Sequence, residues 1–154
     1  MRRLNLARLD DFRVWLDVSG YVRIVRRAHE RSPLGLGFGR SRFSSPTDAF
    51  KVLYLAQETR TSIAEVIVRD RFQDKASREL PMEEFDDYAI AAVNNEEALE
   101  LVDLRGVGAS ALGVPTDAVR GRNQVAGRNF SRAIYEQTLL DGIVYLSRIT
   151  RRGL

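Results

Sequence analysis

Cysteine is missing from all 154 residues, so the chain has no disulfide, no thiolate metal ligand and no cysteine nucleophile. Histidine is nearly missing too. His29 stands alone, which removes the material for a histidine-cluster metal centre or a Ser-His-Asp triad, and a zinc finger is excluded outright. No stretch approaches the roughly 20 apolar residues of a membrane span. The N-terminus, MRRLNLARLDDF, lacks the apolar run of about 7–15 residues that a secretory signal needs. The expectation is a soluble, cytoplasmic protein without a membrane partner, in which the sequon Asn129-Phe130-Ser131 has no meaning. Internal repeats, low-complexity tracts and Pro/Gly/Ser linkers are also lacking. With 44% apolar residues, residues 1–154 are expected to form one domain with a core of its own.

Lysine is scarce. Of the 24 basic residues 22 are arginine, the cation suited to bidentate phosphate contacts, although a compositional bias of the source genome would give the same count. The net charge of +3 is unevenly spread. Residues 79–104 carry nine acids and no base, whereas residues 105–154 carry eight arginines against three acids. Basic charge of this kind is weak evidence for nucleic-acid binding, and no recognisable binding module accompanies it.

Helical and extended patterns are interspersed. Residues 8–17, RLDDFRVWLD, read as a short helix with Phe12, Trp15 and Leu16 opposite its acids. Tyr21 to Val25 alternates as a strand, with Arg23 on the face opposite Val22 and Ile24. Residues 33–46 form a loop punctuated by Pro33, Gly35, Gly37, Gly39 and Pro46. Lys51 to Ala56 reads as a buried strand and Thr59 to Phe72 as a helix. Tyr88 to Val93 and Leu99 to Leu104 are further strands. A long helix is expected from Thr116 to Gln137, weakened by Gly121 and Gly127, before a last strand from Ile143 to Ser147. Short strands without a regular βαβ rhythm indicate an α+β fold of mixed sheets and interspersed helices, rather than a Rossmann sheet.

Four features carry chemistry, and each has a plain structural alternative. Ser62-Ile63-Ala64-Glu65 matches the capping box, which would make Glu65 a helix N3 residue; a glutamate there would also suit a developing cation. Tyr54 fits either a core tyrosine or a ring that stacks on a flat ligand. Arg23, in the middle of an apolar strand, must find an anion or water: a neighbouring acid or a ligand phosphate. The Gly35-x-Gly37-x-Gly39 loop, with Arg40 and Arg42 beside it, lets backbone amides approach phosphates or simply connects two elements. It lacks the context of a dinucleotide fingerprint. Ser147 has no histidine or lysine base evident nearby, which points to a hydrogen-bonding role rather than nucleophilic attack.

The segments PLGLGFGRSRFSSP, VLYLAQETRTSIAEVIVRD, LELVDLRGVGASALGVP and DGIVYLSR, in that order, resemble the RES-domain family, toxins of toxin–antitoxin pairs named for arginine, glutamate and serine. The resemblance covers roughly Tyr21 to Arg148. It implies a fold similar to the ADP-ribosyltransferases, with NAD as substrate and no prosthetic group. It also implies a partner, an antitoxin with an Xre-like helix-turn-helix domain, so that the toxin itself need not touch DNA. Carried onto this sequence, the family arginine is Arg23 in YVRIV, and the loop arginine and aromatic are Arg42 and Phe43 in GRSRFS. The tyrosine is Tyr54 in VLYLA, the glutamate Glu65 in SIAEV and the serine Ser147 in YLSR; Arg31, in HERSPL, is a lesser candidate. Related chains usually continue past the Ser-Arg pair into a further strand, whereas this sequence stops at Leu154, naturally or by trimming, so the resemblance does not fix the wall beside Ser147.

The implied chemistry is cleavage of the nicotinamide–ribose bond of NAD by hydrolysis or phosphorolysis, or transfer of ADP-ribose to a protein acceptor. Glu65, Arg23 and Tyr54 would be the catalytic residues. Arg23, Arg31, Arg42, Phe43, Tyr54 and Ser147 would bind the dinucleotide, and no metal is expected. Ile63 stands two residues before Glu65, so the paired-glutamate pattern of arginine-modifying transferases is missing.

Overall fold

A computed structural model describes residues 5–35, 37, 39–68, 71, 75–76, 79–115, 118–119 and 124–150. The strands in chain order are β1 (Arg13–Leu16), β2 (Val22–Arg26), β3 (Tyr88–Ala92), β4 (Leu99–Asp103) and β5 (Gly142–Val144). The helices are α1 (Thr59–Ile63), α2 (Gly108–Ala111) and α3 (Val125–Gln137). Helices and strands mix throughout, with antiparallel and parallel pairings, and the fold is α+β. The chain forms two compact units, each assembled from separated segments.

One unit takes Met1–Asp17, Leu36–Leu53 and Glu96–Leu146. Its sheet runs β1-β4-β5, with β1 antiparallel and β5 parallel to the central β4. A parallel pair needs a crossover, and here the connection from β4 to β5 carries α2 and α3. Val102, Leu104, Leu112, Phe130, Ile134 and Val144 form the centre of its core. The helix expected over residues 8–17 is realised only as a 3-10 helix, Leu6–Phe12; Arg13–Leu16 is strand β1 instead. The acids and aromatics of this segment mimic a helical stripe, but β4 offers Val14 and Leu16 partners at Leu101 and Leu99. Strand alternation then turns Trp15 outward, 66% exposed. Of the expected 116–137 helix, Ala118 and Val119 are helical and α3 forms the rest from Val125, with Gln124 as its N-cap outside the helix. Gly127 within it has a packing reason, since a Cβ there would lie 2.6 Å from the Arg42 carbonyl oxygen and 2.9 Å from that of Ala118. The last strand ends early, at Val144, whose carbonyl accepts the Leu104 N–H at 2.9 Å. Beyond it, Ser147 belongs to the other unit.

That second unit takes Val18–Gly35, Tyr54–Asn95 and Ser147–Leu154. Strands β2 and β3 pair antiparallel, Ile24 opposite Ile90 and Arg23 opposite Ala91. The strand expected at Lys51 to Ala56 does not form. Only Ala56 reaches β2, in a single bridge to Val22 with two hydrogen bonds of 2.8 Å, because the run straddles the passage from one unit to the other between Leu53 and Tyr54. Helix α1 starts at Thr59 with Glu58 at its N-cap and continues as a π-helical turn, Ala64–Val68; Phe72 lies outside the described residues. The capping-box reading is therefore overturned. Ser62 sits inside the helix, where its Oγ accepts the Ile24 N–H at 3.2 Å and fastens α1 to β2. On the π-helical turn Ile67 is buried and Val66 exposed.

Candidate active site

Glu65 rides on the π-helical turn that extends α1, a geometry frequent at functional sites. Its side chain is half-buried, and Ser147 Oγ donates to its Oε1 at 2.5 Å. Ser147 is 1% exposed, and its hydroxyl oxygen also accepts the N–H groups of Ile149 at 3.1 Å and Thr150 at 3.2 Å. A serine hydroxyl has one proton and two lone pairs, and all three are committed here. The group is built to hold a carboxylate rather than to attack. Among the described residues no donor engages the second oxygen of Glu65.

Four residues before Glu65, Thr61 lies on the same face of the helix, fully buried, and its hydroxyl meets that of Thr150 at 2.9 Å. The 147–150 turn is thus joined to the helix face at two points. Sequence reasoning missed Thr61 and Thr150. Their signal was the pair of spacings Thr61-x-x-x-Glu65 and Ser147-x-x-Thr150.

Arg23 stands in the middle of β2, and the neighbouring Ile24 carries the hydrogen bond to Ser62, three residues before Glu65. Its Nη1 donates to the Pro33 carbonyl at 3.0 Å. Among the described residues no carboxylate lies within ion-pairing distance, and burial alone pulls its pKa below the usual arginine value. A guanidinium has five N–H donors. A partly desolvated one that holds a single carbonyl keeps donors to spare. Arg31 is exposed in the same loop, two residues before Pro33. Tyr54 is half-buried, two residues before the Val22–Ala56 bridge that ties its segment to β2.

Arg42 and Phe43 lie in the β1-β4-β5 unit. Arg42 is buried, with Nη1 donating to the Ala118 carbonyl at 3.4 Å. Phe43 packs edge-on against Tyr145 with ring centroids 4.9 Å apart, and its carbonyl accepts the Ser131 hydroxyl at 2.7 Å. Of the glycine-rich loop, Gly35, Gly37 and Gly39 are described, while Leu36 and Phe38 lie outside the described residues. Among the described residues no group of three or more His, Asp or Glu side chains could hold a metal ion. No helix among them is long and apolar enough to cross a membrane.

The arrangement brings Arg23, Glu65 and Ser147 into one unit. The RES-domain family model matches residues 20–154. The chain belongs to the RES-domain family. Arg23, Glu65 and Ser147 of this RES-domain chain all fall within the matched span. A relative described as "Probable toxin y4kH", from Sinorhizobium fredii (strain NBRC 101917 / NGR234), is 34% identical over 76 residues, which is 49% of this chain and 60% of that relative's length. No solved structure matches the RES-domain chain.

Proposed function

We propose that this RES-domain chain is the toxin of a toxin–antitoxin pair and acts by cleaving the nicotinamide–ribose bond of NAD. The observation that carries the reading is the Ser147–Glu65 hydrogen bond, which fixes one carboxylate oxygen and leaves the other available to a ligand. Family membership and the printed name of the relative support the toxin role.

NAD carries a cationic nicotinamide ring. When the C1′–N bond breaks, its electron pair leaves with the ring, which departs neutral, so no general acid is needed and the scarcity of histidine costs nothing. Positive charge then grows on C1′ and spreads onto the ribose ring oxygen. A fixed carboxylate opposes that charge, as in glycoside cleavage, and is worth more for being preorganised. Glu65 supplies it and accepts hydrogen bonds from the ribose hydroxyls. Arg23 grips the pyrophosphate through charge-assisted bonds, with the exposed Arg31 as a second cation. Tyr54 packs on the nicotinamide end and limits its orientation. Water adds to C1′ and gives up a proton, releasing ADP-ribose; inorganic phosphate in its place gives ADP-ribose bearing a phosphate at C1′. The partner is an antitoxin with an Xre-like helix-turn-helix domain.

The test is to incubate the purified chain with NAD, with and without phosphate and candidate acceptor proteins, and to follow nicotinamide. Release is expected with the wild type and is lost in Glu65→Gln. Labelled ADP-ribose on an acceptor would redirect the reading to protein modification. No NAD loss under any condition would overturn it.

A further inference from the structure

We infer that Thr61 and Thr150 are positioning residues for Glu65, the second point of a two-point hydroxyl clasp whose first point is Ser147. The inference rests on the NAD-cleavage reading for its kinetic consequence and on geometry alone for its structural one.

A single hydrogen bond to Ser147 would leave the carboxylate able to swing with the turn that carries the serine. The turn is not left to itself. Thr150 donates its backbone N–H to Ser147 Oγ at 3.2 Å, so the oxygen that holds Glu65 is bonded to the residue whose hydroxyl meets Thr61. The bonds Thr61–Thr150, Thr150–Ser147 and Ser147–Glu65 form a ring that the helix backbone from residue 61 to 65 closes. Thr61 is 0% exposed, and a β-branched side chain within a helix has few rotamers, so its hydroxyl is a fixed anchor. The anchor matters because Glu65 sits where the helix widens into a π turn and its backbone departs from the regular ladder. Removing the Thr61–Thr150 bond opens the ring without touching any group that meets substrate.

The experiment separates positioning from a role in which the two threonines only satisfy each other's hydroxyls. Thr150→Val keeps the branched shape and deletes the hydroxyl, while Thr150→Ser keeps the hydroxyl. In Thr150→Val, kcat for nicotinamide release is expected to fall about 10-fold with KM within about 2-fold, as for a displaced catalytic group, and Thr150→Ser restores it. The side-chain 13Cδ signal of Glu65 shifts in Thr150→Val and returns in Thr150→Ser. Thr61→Val combined with Thr150→Val is less damaging than the sum of the two, since both delete the Thr61–Thr150 bond. If Thr150→Val does not fold, Thr150→Ala serves, because Thr150 is only half-buried. Wild-type kcat together with an unshifted Glu65 signal in the hydroxyl-deleted variant overturns the clasp. Absence of turnover in the wild type overturns the NAD reading instead, and the Glu65 signal then still decides the clasp.

Discussion

Ser147→Ala is the sharpest probe of the site, because the hydroxyl it removes has three separate duties. It donates to the Glu65 carboxylate at 2.5 Å and accepts two backbone N–H groups at 3.1 and 3.2 Å. A hydrogen bond to a charged partner is worth about 1.5–3 kcal/mol and a neutral one about 0.5–1.5 kcal/mol. Glu65 and Thr150 are half-buried and Ile149 is exposed, so water reaches the freed partners and the low ends of these ranges apply. The expected loss of stability is about 2–3 kcal/mol, read as a lower urea midpoint with an unchanged slope. For a chain of this size that corresponds to a melting point lower by about 5–10 °C. Turnover should fall about 10- to 100-fold as the carboxylate loses its fixed geometry. Glu65→Gln makes the control: its amide oxygen still accepts the serine proton, so stability falls by only about 1 kcal/mol, whereas turnover falls further than in Ser147→Ala. Serine loss should thus be the more damaging to stability and glutamine the more damaging to chemistry. A Glu65→Gln protein less stable than Ser147→Ala, or a Ser147→Ala protein of wild-type stability and turnover, would refute the reasoning.

Arg23→Gln removes a partly desolvated charge that no carboxylate among the described residues offsets, so unliganded stability should change by less than about 1 kcal/mol. Affinity for NAD or pyrophosphate should weaken about 10- to 100-fold by calorimetry, and unchanged affinity would remove Arg23 from the anion site. Asp103 is pushed up by desolvation, but hydrogen bonds from the Arg105 guanidinium and backbone N–H outweigh this and hold its pKa below the usual aspartate value. A depressed carboxylate stabilises the fold above its unfolded pKa of about 3.9 and loses that contribution as pH falls through the folded value. Asp103→Asn should therefore cost about 0.5–1 kcal/mol in urea melts at pH 7, with the gap to wild type closing below about pH 4. A gap that widens in acid would contradict the assignment. Gly127→Ala should destabilise by about 1–3 kcal/mol despite the better helix propensity of alanine, because the new methyl meets the Arg42 and Ala118 carbonyl oxygens at 2.6 and 2.9 Å. Unchanged or raised thermal stability would show that the close approach relaxes freely.

How far the sequence could be read depended on how far apart in the chain the deciding partners lie. Strands β2, β3 and β4 were legible because a short apolar run is a local signal and each found a strand to pair with. The segment 8–17 was not, since Arg13–Leu16 is extended only because β4, more than eighty residues later, pairs with it. Lys51 to Ala56 has the composition of a strand but forms a β-bridge at one residue. Glu65 is the instructive case. Ser62 and Glu65 satisfy a local capping rule, and that rule fails because the helix begins three residues earlier, at Thr59, so that Ser62 turns its hydroxyl to β2. What holds Glu65 is a serine 82 positions away, and no period, cap or spacing encodes such a contact. The family resemblance named both residues without saying that they touch. Their contact recasts the serine from a ligand-facing group into the one that sets where the glutamate's charge is held, and the electrostatic contribution of a carboxylate depends on that position as well as on its presence.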